Sequence, residues 1–296
     1  MASIISIIQI LLNNLYLVGV LALTTLGIAL TFKTASVTNF AQSITATMGA
    51  YTAAYLYMRM GLPVGVAAVG GIASCFLLGL IIDAVIVRKM SSGGTGRVMI
   101  TLGLIILISA FIPIIFGMVP YEFPRFLKDN INFTMFGTVF TITKNGLFTF
   151  GLAAVVIAII FLALNMTKWG LGVRATAANA TVSSMLGINT HFITAMSWAI
   201  SSACGALAAI LYAAQTTNVS SDMLGSIQST SLLAFVMGGY TSFYGPVIGA
   251  VLIPVATALL AMISGLWANV FLYVLVLLTI LIKPMGIFGK KTVEKV

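Results

Sequence analysis

The chain alternates long apolar runs with short polar or glycine-rich breaks, and most runs reach the roughly 18–20 residues that carry a helix across a bilayer. Such runs fall at 5–30, 35–58, 62–87, 98–119, 145–166 and 190–214. A crowded apolar region from 227 to 283 is interrupted by "GGYTSFYG" at 238–245. The interruption divides it into a short segment at 227–239, a span at 245–263 and a last span at 266–283. The pattern predicts an all-α polytopic integral membrane protein, with eight full-length transmembrane helices and one short or re-entrant helix, in a single domain over 1–296. The alternation of a membrane β-barrel strand is missing, so helices are left to satisfy the backbone in lipid.

Composition sharpens this reading. Apolar residues make up 60% of the chain, charged residues only 6%, and the mean hydropathy is +1.16; a soluble domain carries about 25% charged residues. The net charge of +9 points to loop sidedness rather than to nucleic acid. Lys33, Arg88, Lys89, Arg97, Lys168, Arg174, Lys283, Lys290, Lys291 and Lys295 fall at one set of helix ends, and Arg59, Arg125, Lys128 and Lys144 at the other. Basic loops stay in the cytoplasm, which puts the N-terminus outside and the C-terminus inside. The 167–189 loop is then cytoplasmic. The longest outer loop, 120–144, reads equally as an ordered cap or a solvated connector. The N-terminal run lacks a basic start and is too long for a signal-peptide core, so no cleaved leader is expected.

The chain is poor in reactive groups. Glu122, Asp129, Asp222 and Glu294 lie in loops or the tail. Only Asp83 lies close to a span, as a helix-end charge able to reach water, and the lone His191 begins a helix. Cys75 and Cys204 sit in separate spans and read as packing residues. No catalytic site, metal site or nucleotide-binding glycine loop is expected, and neither is a bound cofactor. What the spans do carry is small polar residues. "NFAQSITATMGAY" at 39–51 places Asn39, Gln42, Ser43, Thr45 and Thr47 in the second span, followed by Gly49. These face either a cavity or a neighbouring helix. "GGYTSFYGPVIGA" combines the break at Gly238 and Gly239 with a Gly245-x-x-x-Gly249 pair, and lines a pathway or packs two helices closely.

The most unusual segment is "GVRATAANATVSSMLGIN", 172–189, with one arginine, no acid and mostly small side chains. Its Arg174, Ala175, Leu186, Gly187, Ile188 and Asn189 resemble the cytoplasmic signature of the branched-chain amino acid ABC importer permeases. Three more segments occur in that family's order: "TNFAQSITATMGAY", "VMGGYTSFYGPVIGA" and the closing "KPMGIFGKKTVEKV". Asp83 and Arg88 also match the acid and arginine after the third span. The resemblance covers essentially the whole chain. Two departures stand out. Ala178, Asn179 and Thr181 replace more charged residues, and Gln42-Ser43 stand where many members have His-Gly.

The resemblance implies a bacterial inner-membrane permease subunit of an ATP-driven, binding-protein-dependent importer. Its loop would dock as a short coupling helix on a separate ATPase through Arg174, Ala175, Asn179, Gly187, Ile188 and Asn189, with Gly187 as a left-handed cap. A solute pathway would run past Asn39, Gln42, Gly49, Gly238 and Gly239. The implied partners are a homologous permease in a heterodimer, two ATPase subunits holding ATP and magnesium, and an extracellular or periplasmic binding protein. Alternatives are the same machinery carrying urea, amides or other amino acids, and a secondary transporter or channel.

Overall fold

The computed structural model describes residues 2–89, 94–119, 121–135 and 138–289. Lys290, Lys291, Glu294 and Lys295 lie outside the described residues. The first apolar run is two helices, α1 (Ala2–Asn13) and α2 (Leu15–Ala35). The break falls at the Asn13–Asn14 pair, where the Asn14 side-chain amide donates to Ile10 O at 2.9 Å. Asparagine competes in this way for backbone groups that a continuous helix would use.

The second run starts later than its hydropathy indicates. After Ser36, which closes α2 with φ +53°, residues 36–41 run without helix, and α3 spans Gln42–Met58. Asn39 Oδ1 accepts from Ala41 N at 3.0 Å, a local turn that delays the helix. Then follow α4 (Val64–Val85), α5 (Gly94–Phe116), α6 (Lys144–Met166), α7 (Lys168–Ala178), α8 (Ala180–Met185), α9 (Thr190–Thr216), α10 (Gly225–Gly238), α11 (Tyr244–Ile263) and α12 (Ala268–Ile282). Six of the described helices are long and apolar enough to cross a membrane, while α3, α10 and α12 are shorter.

Two helices form the interior. α2 and α9 are each buried over 78% of their most apolar window, against 22–33% for α4, α5, α6 and α11. α9 packs along α2, α3 and α4, and α10 lies between α2 and α11. The peripheral helices turn large side chains such as Ile106, Ile114 and Ile159 outward, as a lipid-facing ring does. Contact inside relies on missing side chains. A methyl group on Gly71 of α4 would meet Gly49 O at 2.5 Å, and one on Gly249 of α11 would meet Ala234 O at 2.2 Å. Lipid tails are as apolar as leucine, so such close backbone approach replaces hydrophobic burial as the force joining membrane helices.

The described residues of the 120–144 segment form an ordered cap with strands that the hydropathy did not announce. β1 (Tyr121–Glu122) pairs antiparallel with β4 (Asn218–Val219), and β2 (Asn130–Met135) pairs with β3 (Thr138–Thr143) as a hairpin. Phe123 and Phe140 are fully buried beneath it. Asn145, at the head of α6, accepts from Phe126 N at 3.1 Å and donates to Gln215 Oε1 at 2.8 Å. Lys144 Nζ lies 2.8 Å from Asp129 Oδ2 and holds that carboxyl below the usual carboxylate range.

Replacing Gly249 by leucine is expected to lower stability by about 1–3 kcal/mol through overpacking. Gly151→Leu, where an added Cβ meets nothing within 4 Å, is expected to leave it unchanged. Thermal melts of the detergent-solubilised protein followed by size-exclusion chromatography distinguish the two; equal melting of both variants would refute the close α10–α11 contact.

Candidate functional site

Within the non-helical 36–41 segment Val37, Asn39 and Ala41 are buried among helices, and the polar groups of Asn39 converge with others midway along α2 and α9. Asn39 Nδ2 donates to Gln42 Oε1 at 3.0 Å, and Gln42 Nε2 donates to Ser201 O at 2.8 Å. The Ser201 hydroxyl lies 2.9 Å from Gln42 Oε1 and 2.8 Å from Gly27 O, one proton facing two acceptors. Gln228 Nε2, from α10, reaches Asn39 O at 3.2 Å. Asn39, Gln42 and Ser201 are all fully buried. The Gln42 amide is held from both sides, because a methyl group on Gly27 or Gly205 would approach Nε2 to 2.7 Å. This knot ties α2, α3, α9 and α10 together and leaves no opening at Gln42. Beside it, Gln228 Oε1 and Ser231 Oγ are buried with no hydrogen-bond partner.

The other residues with expected pathway roles sit at close helix contacts. Gly49 faces Ala206, Cys75 and Gly71. Gly238 ends α10 against Gly245 O, and Gly239, with φ +111°, meets Met285 and Gly289. The tail after α12 completes this contact: Ile287 N donates to Met237 O at 2.8 Å and Phe288 N to Gly238 O at 3.1 Å. The Gly-Gly break and the Pro-x-Gly-Ile tail, far apart in sequence, therefore form one unit. The tail supplies donors to carbonyls that the end of α10 leaves unpaired.

At the end of the molecule that carries Lys33, Arg88 and Arg97, the 167–189 segment folds as a two-helix elbow. Thr167 caps α7 by accepting from Gly170 N at 3.0 Å. Asn179, in extended backbone, caps α8 by accepting from Val182 N at 3.0 Å. Gly187, with φ +82°, closes α8: its N–H donates to Ser184 O, and the Ile188 N–H to Ser183 O, both at 3.1 Å. This is the Schellman arrangement that a left-handed glycine permits. Asn189 then caps α9 through Phe192 N at 3.0 Å. Gly172, Val173, Thr176 and Ser183 turn inward, while Ala175 and Ile188 are half-buried. Outward stand Arg174, Leu171, Val182, Met185 and Leu186, the last two 80% and 76% exposed. The Arg174 guanidinium lies 3.4 Å from Asn165 Oδ1, and Asn165 donates to the Tyr244 hydroxyl at 3.0 Å, linking the elbow to the ends of α6 and α11.

A family model described as "Branched-chain amino acid transport system / permease component" matches residues 10–281. The chain belongs to this permease family. A probable branched-chain amino acid transport permease protein LivH of Methanocaldococcus jannaschii is 27% identical over 92% of this chain and 89% of its own. The high-affinity branched-chain amino acid transport system permease proteins LivH of Escherichia coli K12 and BraD of Pseudomonas aeruginosa are each 33% identical, over 45% of this chain and 44% of theirs. A solved structure, PsaBC from Streptococcus pneumoniae in complex with Fab, superposes at 14% identity over 91% of this chain and 87% of that one, with a TM-score of 0.46.

In this permease, Asp83 sits near the end of α4, as expected, and pairs with Arg88. Its side chain is only 2% exposed, and Arg88, 44% exposed, lies within 3.4 Å of it. Both border a cavity of about 290 Å³ behind the elbow, with Arg97, Thr176, Ala180 and His191. Sequence reasoning missed Val182, Met185 and Leu186 as an outward apolar face. The signal was available, since Val182, Met185 and Leu186 follow one another at the i, i+3 and i+4 spacing of a single helix face. It also missed Ser201 and Gln228, whose roles depend on contacts between distant segments.

Replacing Gln42 by leucine leaves Asn39 Nδ2 and the Ser201 carbonyl buried without their partner. It is expected to cost about 1–3 kcal/mol, read as a lower melting temperature in detergent; an unchanged melt would refute the knot.

Proposed function

We propose that this permease is the membrane-spanning subunit of an ATP-driven, binding-protein-dependent importer of branched-chain amino acids. The elbow carries the reading. A segment closed at every turn by Thr167, Asn179, Gly187 and Asn189 is rigid, yet it presents Met185 and Leu186 to the surroundings. Exposed apolar side chains on a pre-shaped element fit a partner's groove. Here that partner is a cytoplasmic ATPase. The elbow end is then the cytoplasmic end, the strand-built cap faces outside, and the N-terminus lies on the cap side.

A second, homologous permease completes the transmembrane unit, and two ATPase subunits hold the ATP and magnesium. Closure of the ATPase pair pushes on the elbow. Arg174, Asn165 and Tyr244 carry that displacement to α11, whose first turn packs on Gly238. α10 and its Gln228 contact to the knot move with α11. Opening of the Asn39–Gln42–Ser201 bonds would release the solute inward. Specificity is set largely by the extracellular binding protein, which fits spans with almost no fixed charge.

Purification of the tagged chain from its native membrane is expected to recover a similar permease and one or two ATPases. Met185→Glu and Arg174→Glu are each expected to reduce ATPase recovery at least tenfold, while the permease itself still elutes as a folded species. Recovery of the chain alone, moving leucine in ATP-free vesicles, would replace this reading with a secondary transporter.

A further inference from the structure

Toward the cap end, α1, α2, α10, α11 and α12 line a half-open cavity of about 340 Å³ that is separate from the polar knot. Its volume is at the small end of the roughly 300–1,000 Å³ typical of ligand sites. The buried floor is aliphatic, formed by Leu21, Ile227, Ile253 and Leu272. Among the described residues, no Asp, Glu, Lys, Arg or His lines it.

The polar lining falls into two chemically distinct groups. Thr230 and Thr257 spend their hydroxyl protons, and Asn14 one of its two amide protons, on Ser226 O, Ile253 O and Ile10 O, each at 2.9 Å. Their oxygens therefore remain as acceptors. Ser226, Asn269 and Tyr273 border the same cavity, and their side chains take part in no hydrogen bond among the described residues, which leaves their donors available. Acceptors suit an ammonium group, donors a carboxylate, and the aliphatic floor a branched side chain.

We infer that this cavity binds a zwitterionic, branched aliphatic amino acid on its way through the permease; the inference rests on the function proposed above. A lipid acyl chain would use the floor but none of the six polar groups. A free cation or anion would call for a fixed countercharge, and the lining has none. The position also fits a step in transport. Ile227 and Thr230 of α10 face the cavity, and the neighbouring Gln228 reaches the knot. α10 is thus the partition between the occupied cavity and the inner closure.

The test uses the complete importer, reconstituted with its binding protein and ATPases, and photo-leucine, a diazirine analogue of leucine. Irradiation is expected to label the segments of α1, α2, α10, α11 or α12 that line the cavity, with excess leucine suppressing the label at least tenfold. The double variant Ser226→Ala/Asn269→Ala, altered only at exposed rim positions, should lose most of this label while still recovering its ATPases. Label elsewhere, no label, or label that leucine leaves unchanged would overturn the assignment, the last marking a nonspecific apolar crevice. A complex that takes up leucine with ATP but labels elsewhere sinks this site alone. A complex that takes up no leucine sinks the proposed cargo with it.

Discussion

Backbone amide and carbonyl groups inside a bilayer need partners, and the hydrocarbon supplies none. The architecture follows from how this chain meets that demand at its two interior breaks, 36–41 and 239–243. At the first, side chains take over: Asn39 bonds Ala41 N, and Gln228 reaches Asn39 O from another helix. At the second, the Ile287 and Phe288 amides pair with the Met237 and Gly238 carbonyls. Neither break survives alone. Each recruits a distant segment, and so each fixes how helices far apart in the chain are arranged.

The same economy explains why the interior is small as well as polar. α2 and α9 are surrounded by protein, so their threonines, serines and glycines meet other helices rather than lipid. Several hydroxyls, such as Thr24, Thr31 and Ser197, bond carbonyls of their own helix. They need no partner across the contact, and backbones approach to the distances that Gly49, Gly71 and Gly249 allow. The knot differs because its bonds run between helices. It is the place where a change of helix position must break hydrogen bonds, which makes it suited to closing a pathway. Lys33 adds a comparable link at the elbow end, donating to the Thr241 carbonyl while its ammonium lies 5.2 Å from the centre of the Phe243 ring.

Much of this was legible in the residues, though unevenly. Every apolar run carries helix in the structure, because the length of apolar sequence a membrane requires admits little else. The Gly187 cap was legible too, since a glycine directly after a short polar helix has a local reason to be there. The start of α3 was not, because hydropathy averages over the Asn39 turn that delays it. Nor was the hairpin of residues 130–143, whose alternation is too short to register beside runs of twenty apolar residues. The burial of Asp83 was not legible, because its distance from Arg88 along the chain says nothing of which of the two is covered by neighbouring helices.

The sequence by itself determined the environment, the order of the apolar helical segments, the break at Gly238–Gly239, and membership in a permease family. Those are consequences of local composition and spacing, which act before any two segments meet. Only the tertiary structure decided that Gln42 is locked between Gly27 and Gly205, that the tail completes α10, and that six neutral polar groups, from Asn14 and from α10, α11 and α12, share one cavity. Each of these depends on contacts between residues far apart in the chain. In a membrane, where burial of apolar surface discriminates poorly between arrangements, close packing and interhelical hydrogen bonds make that choice.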